Sequence, residues 1–247
     1  MIRRALYVGA VAVLLAGCAP RQPVAPAAPD VVLFSGTLQE LAPHHDGDHF
    51  VYRTTSTGQP DRLTVEHLTV LDQPGEFAVN MTEDGVALGK SHLRDDGSSI
   101  TMISEGMLRE GVLMLYEVPL PSLSVPLHSS ESKATSPVTL SRLSDGKLLA
   151  YGQAEQTVTA RRVTAAAGSD EFEIHTERTI EMRRGSMHLS VTTWITPGVG
   201  ETRSQGSADG GVTFRRELIC ATVGGKRVGD CAGIMQKGQE GQKGIEQ

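Results

Sequence analysis

The stretch from Glu171 to Thr196 constrains the fold more than any other part of the chain. Phe172, Ile174, Thr176, Arg178, Ile180 and Met182 alternate with Glu171, Glu173, His175, Glu177, Thr179 and Glu181. After Arg183-Arg184-Gly185-Ser186, Met187, Leu189, Val191, Thr193 and Ile195 alternate with His188, Ser190, Thr192 and Trp194. Alternation with period two on both sides of a glycine-bearing turn predicts a β-hairpin with one apolar and one polar face. With Arg184-Gly185 as a two-residue turn, Met182 faces Met187, Ile180 faces Leu189 and Ile174 faces Ile195. A slip of one residue would turn one apolar set onto the wrong face.

Turn signals recur along the rest of the chain. Gly58, Pro74-Gly75, Asp84-Gly85, Asp96-Gly97, Gly111, Asp145-Gly146, Gly168, Gly206, Gly210-Gly211 and Gly224-Gly225 punctuate apolar or alternating runs. This is the cadence of an antiparallel meander, and Asp-Gly suits the tight turns of hairpins. Strands are expected at Phe50-Tyr52, Leu63-Val65, Glu76 to Met81, Val86 to Leu93, Ile100-Met102, Leu140 to Leu143, Lys147 to Tyr151 and Val212 to Cys220. Val112 to Val118 is nearly continuous in apolar residues and reads as a strand buried on both faces. One short helix fits Leu33 to Leu41, with Ser35 as its cap. Between Tyr116 and Pro137, Pro119, Pro121 and Pro126 argue against a central strand, so an extended segment crossing the sheet or covering an edge is expected.

The fold class is therefore all-β: one domain of meandering antiparallel strands forming a curved sheet, half-open barrel or sandwich, with at most one short helix near its start. It is expected to span residues 31–235, followed by a disordered polar tail over 236–247. About two hundred residues suffice for one sizeable core. With aromatics at only 4%, that core must be built from Leu, Val, Ile and Met.

Residues 1–17 read as a signal peptide. Arg3 and Arg4 precede an apolar run, Ala5 to Leu15, that is too short to span a bilayer. Leu15-Ala16-Gly17-Cys18 resembles the lipobox of bacterial lipoproteins, which implies lipidation of Cys18 as the first mature residue. Ala19 rather than Asp after it resembles lipoproteins sent to the outer membrane, facing the periplasm. Residues 18–30 form a linker in which Pro20, Pro23, Pro26 and Pro29 recur every third residue, as polyproline II requires. Losing the segment with Arg3 and Arg4 takes the formal charge from −6 to −8, two positive charges fewer. An acidic chain with no basic run is a poor partner for nucleic acid or anionic lipid heads, so the membrane is reached through Cys18 alone.

Apart from Cys18, the cysteines are Cys220 and Cys231. With a turn centred on Gly225-Lys226 they face each other across a hairpin, and in an oxidising compartment they are expected to form a disulfide worth about 2–3 kcal/mol.

Several segments resemble the TapB-like family of bacterial envelope lipoproteins, a family without an assigned activity. They are Leu41-Ala42-Pro43 through Gly47 to Arg53, Val118-Pro119-Leu120-Pro121 with Pro126-Leu127, and Val163 to Gly168. The most specific is Trp194-Ile195-Thr196-Pro197-Gly198-Val199-Gly200. The resemblance implies a curved antiparallel sheet. It also implies a looser similarity to the half-open barrels of lipoprotein-sorting proteins, which hold acyl chains on an apolar concave face.

The chemistry-bearing groups are few. His44, His45 and His49, with Asp46 and Asp48, carry atoms that could ligate a metal, but a solvated turn explains them as well. Glu173, His175, Glu177, Glu181 and His188 lie on the polar face of the hairpin, where alternation places water. Arg178 breaks the apolar face. It pairs structurally within the core, or contacts an anionic head group at the mouth of a cavity, with Trp194 as a further ligand contact. No serine elbow, zincin, C-x-x-C, dinucleotide or P-loop motif occurs. The expectation is a protein that is not an enzyme and needs no cofactor. It would be a lipid-anchored scaffold or partner-binding module of the envelope, or alternatively a carrier for a lipid or other apolar ligand.

Overall fold

The computed structural model describes residues 29–165, 168–183, 185–208 and 211–231. The signal peptide, Cys18, most of the linker, Arg184 and the C-terminal tail lie outside these residues. The chain runs through β1 (Val32–Phe34), α1 (Leu38–Leu41), β2 (His49–Ser56), β3 (Arg62–Val70), β4 (Glu76–Glu83) and β5 (Val86–Asp95). It continues through β6 (Ser99–Met107), β7 (Val112–Ser124), β8 (Leu127–His128), β9 (Ser132–Arg142) and β10 (Leu148–Thr164). The last elements are β11 (Asp170–Met182), β12 (Gly185–Thr196), β13 (Gly200–Ala208), β14 (Val212–Val223) and β15 (Lys226–Gly229).

The meander is all-β, as its turn cadence predicts, but it closes on itself. Strands β2 to β7 and β9 to β14 pair in antiparallel succession, and β14 pairs with both β13 and β2. The result is a twelve-stranded barrel rather than the curved sheet or half-barrel expected. Closure joins Phe214 to Ser56 and Thr222 to His49, residues more than 150 positions apart. It removes the free edges that an open sheet would leave. Bends are needed for this, and the ladders supply them as register shifts, among them one at Leu218/Cys220 and two within β6–β7. Gly152 permits a close approach within the β10–β11 pair: a Cβ there would run into the Glu181 carbonyl oxygen.

One end of the barrel is filled. Thr37 caps α1 through a reciprocal capping box with Glu40. The helix is thus shorter than expected and starts after the segment that Ser35 was expected to cap, because Val32 to Phe34 is taken into β1. Leu38 and Leu41 are buried and pack with Phe50, Leu68, Phe77, Leu123, Phe172 and Ile195, contributed from around the barrel. A second apolar cluster joins Met114, Tyr116, Leu120, Val138, Ala154 and Ile180. Strand β7 is not buried on both faces: Met114 and Tyr116 are buried while Leu115 between them is 44% exposed.

The hairpin of β11 and β12 forms, with its register displaced by two from expectation. Ile180 faces Met187, Arg178 faces Leu189, Phe172 faces Ile195 and Met182 faces Gly185. Gly185 therefore belongs to the strand and not to the turn. An even slip leaves every side chain on its own face, so the apolar pattern is indifferent to it. The β14–β15 hairpin behaves alike. Val223 faces Lys226 across Gly224-Gly225, and Cys220 faces Gly229 rather than Cys231. The disulfide forms all the same, with Cys231 just beyond β15 and a Cα–Cα separation of 5.4 Å.

Candidate ligand pocket

The barrel wall loosens along the proline-bearing half of β7. This strand pairs with β6 out to Ser124, so the prolines do not end it as expected. On its other side, pairing with β9 stops at Tyr116–Val138. Beyond that point Pro119 and Pro121 have no N–H to offer, and the Val118 N–H goes to the Ser136 hydroxyl at 3.1 Å instead of to a strand carbonyl. The far half of β10 has also outrun β9, whose ladder ends at Ser132–Val158. Strand β8 lies in the gap and is itself held by β1, with Val32 opposite His128 and Phe34 opposite Leu127.

A pocket of about 210 Å³ remains between these pieces. Pro121, Leu123, Leu127, Val158, Ala160 and Ile174 give it an apolar lining, and Ser122, Ser130, Ser132 and His128 add polar groups. The Ser122 hydroxyl is buried and has no hydrogen-bond partner among the described residues. Burying a hydroxyl without a partner costs about 1–3 kcal/mol. At the rim, Asp30 accepts from His128 at 2.7 Å and from the Ser130 N–H at 3.1 Å, so the chain arriving from the linker is fastened beside the pocket.

Gln156 bridges the loosened wall to the interior. Its amide donates to the Pro121 carbonyl, and its carbonyl accepts from Arg178 Nε at 2.9 Å. Arg178 also donates to Tyr116 Oη at 3.3 Å and to Glu105 at 3.2 Å. Burial pushes the Tyr116 phenol up to about 12, with Arg178 acting in the opposite direction. Arg178 is thus paired within the interior, and Trp194 stands on the outer face of the same hairpin beneath the guanidinium of Arg203 at 4.4 Å. The structure does not bring the two together.

A second interior network escaped the sequence reading. Arg216 on β14 lies over the Tyr52 ring at 4.1 Å and meets Glu66 at 2.5 Å and Glu201 at 3.6 Å. Burial raises the Tyr52 phenol well above its ordinary value, and the two carboxylates add to it. Burial likewise raises the Glu201 carboxyl, although Arg216 opposes the change. The alternation of Phe214, Arg216 and Leu218 would have placed Arg216 inside, but the adjacent Arg215 and Glu217 make the segment look polar throughout.

The three histidines are placed apart in their contacts. His44 Nε2 meets Asp95 at 2.8 Å and its ring stacks on Phe77, His45 Nδ1 meets Asp48 at 3.1 Å, and His49 lies against His67. Among the described residues no group of three or more His, Cys, Asp or Glu side chains is arranged to hold a metal ion. The His175 ring bonds Thr192 and Glu177, and Glu177 also takes the Ser190 hydroxyl.

Fold and side-chain placement together define a closed barrel whose interior holds two apolar clusters and two arginine networks. Its outer rows, such as Glu173, His175, Glu177 and Thr179 on β11 and Lys90 and Arg94 on β5, are unlike the apolar band of a membrane-spanning barrel. Among solved structures, one described as an exported protein with a YmcC-like fold from Bacteroides fragilis is similar at 14% identity, covering 76% of this chain and 98% of that one, with a TM-score of 0.42. Another, described as a lipoprotein from Parabacteroides distasonis, covers 76% of this chain and 97% of its own at 9% identity and a TM-score of 0.33. No protein-family model matches the chain, and no curated protein matches it.

Proposed function

We propose that this is a lipid-anchored protein of the bacterial envelope whose barrel binds an apolar or amphiphilic ligand without catalysis. The observation that carries the binding role is the wall pocket, apolar in lining with Ser130, Ser132 and His128 among its polar residues. Ligand pockets are concave, mostly apolar and equipped with a few placed polar groups. Anchoring rests on Arg3-Arg4, the short apolar run and Leu15 to Cys18, and the outer membrane on Ala19. Titration with a fluorescent fatty acid tests the pocket. Saturable uptake is expected, and Ala160→Phe, which fills the lining, should weaken it about tenfold or more. Equal uptake by the variant would place the ligand elsewhere. Mass spectrometry of the N-terminal peptide from membranes should find Cys18 acylated, and a free thiol there would remove the anchor.

A partner-binding role has its own support on the outer face. The register sets Leu115, Thr139 and Tyr151 in one row across β7, β9 and β10, and Tyr151 is 66% exposed with Leu148 and Leu149 beside it. Large exposed apolar side chains gathered on one surface mark contact sites. Loss of capture of a defined envelope complex on Tyr151→Glu would support this role.

A further inference from the structure

Away from the wall pocket, the outer surface of β12, β13, β14 and β2 is hollowed into a groove of about 640 Å³. Gly206 and Phe214 also line it, and a Cβ at Gly206 would run into the Ser190 carbonyl oxygen and the Phe214 ring. Register places Thr192, Gln205, Arg215 and Thr55 in one row across the four strands, and Ser190, Ser207 and Thr213 in the next. Trp194 lies two residues along β12 from Thr192, on the same face and about 7 Å away. A smaller hollow of about 270 Å³ adjoins it, sharing Thr55 and Arg215 and otherwise lined by the charged residues Arg53, Asp61 and Glu217.

The chemistry of this floor is uniform. Eight of its eleven lining residues carry a hydroxyl or carboxamide, and Arg215 is its one charged group. That charge is answered by Glu217, as Arg203 beside Trp194 is answered by Glu171. Thr55, Gln205 and Ser207 make no side-chain hydrogen bond to another described residue, so their donors and acceptors face the groove uncommitted. Such a floor has no apolar anchor row for a peptide, and the acidic chain repels nucleic acid. It matches a ligand that is itself neutral, extended and covered with hydroxyls.

We infer that this groove binds a neutral oligosaccharide chain, with Thr55, Gln205 and Ser207 bonding its hydroxyls and Trp194 at its margin. The site is separate from the wall pocket, and either can fail without the other. Trp194 is the only tryptophan in the chain, so its emission is a reporter beside the groove. Titration of the purified protein with chitotetraose and with maltotetraose should give saturable binding of at least one of them, seen both by calorimetry and as a change in Trp194 emission. Gln205→Leu combined with Ser207→Ala should weaken that binding about tenfold, the loss of roughly two neutral hydrogen bonds. Fatty-acid uptake should be unchanged. Should the double variant fail to fold, Thr55→Val on the opposite strand serves instead. Absence of binding by both oligosaccharides at millimolar concentration would overturn the inference, and so would undiminished binding by a folded variant.

Discussion

Arg178 and Arg216 both occupy the inward face of the barrel, on β11 and β14, and they are neutralised differently. Arg178 meets one carboxylate, Glu105, and otherwise neutral groups: the Gln156 carbonyl and the Tyr116 hydroxyl. Arg216 meets two carboxylates, Glu66 and Glu201, and the face of Tyr52. The first network is balanced in charge. The second holds two potential negative charges against one positive, which is why burial can raise the Glu201 carboxyl despite the neighbouring guanidinium. A buried ion pair adds little net stability, but removing one member leaves the other stranded. How much is stranded decides the cost at each site.

The largest effect should therefore come from Arg216→Met, which leaves two interior carboxylates without a cation. A loss of about 3–5 kcal/mol in urea-unfolding stability at neutral pH is expected. Arg178→Met should cost less, about 2–3 kcal/mol, because it strands one carboxylate, Glu105, where Arg216→Met strands two. The reverse order would break the comparison. Next comes the pH profile of the Glu201 site. Its folded-state value lies above the ordinary one, so the native state holds the proton more tightly, and the site's contribution to stability declines as pH rises from about 4.5 through the raised value. Glu201→Gln should remove that decline and leave neutral-pH stability equal or slightly higher, whereas Glu66→Gln should destabilise. A profile unchanged by Glu201→Gln would overturn the assignment of the decline to Glu201. The smallest effects belong to the phenols. Tyr116→Phe withdraws an acceptor from Arg178 and should cost about 1–1.5 kcal/mol. Tyr52→Phe loses only a 3.3 Å bond to the Glu201 carbonyl and should cost about 0.5–1 kcal/mol.

The same two arginines mark how far the sequence can be read. Arg178 stands out because every other inward residue from Phe172 to Met182 is apolar or Thr. Arg216 does not, because Arg215 and Glu217 flank it and only the partner strands show which of the three points inward. Glu66 reaches Arg216 from β3 across a closure that no local pattern announces, while Glu201 comes from β13, the strand before it. The wall pocket was half legible: Pro119, Pro121 and Pro126 flagged an irregular segment. That β7 would keep its ladder to β6 while losing β9 depends on which side of the strand the missing donors face.

By itself, the sequence determined the all-β class, most turn positions, the inside and outside of each strand in the β11–β12 hairpin, and the cysteine pair that bonds. These follow from local rules: period-two alternation, turn residues and the scarcity of cysteine. The tertiary structure alone decided the two-residue offsets of both hairpins, the closure of β14 onto β2, and the place where the wall opens. The physical reason is common to all three. Alternation is unchanged by an even slip, and backbone hydrogen bonds are the same for any partner strand. Only the packing of the whole barrel, with α1 filling one end and bulges turning its corners, selects one register and one closure.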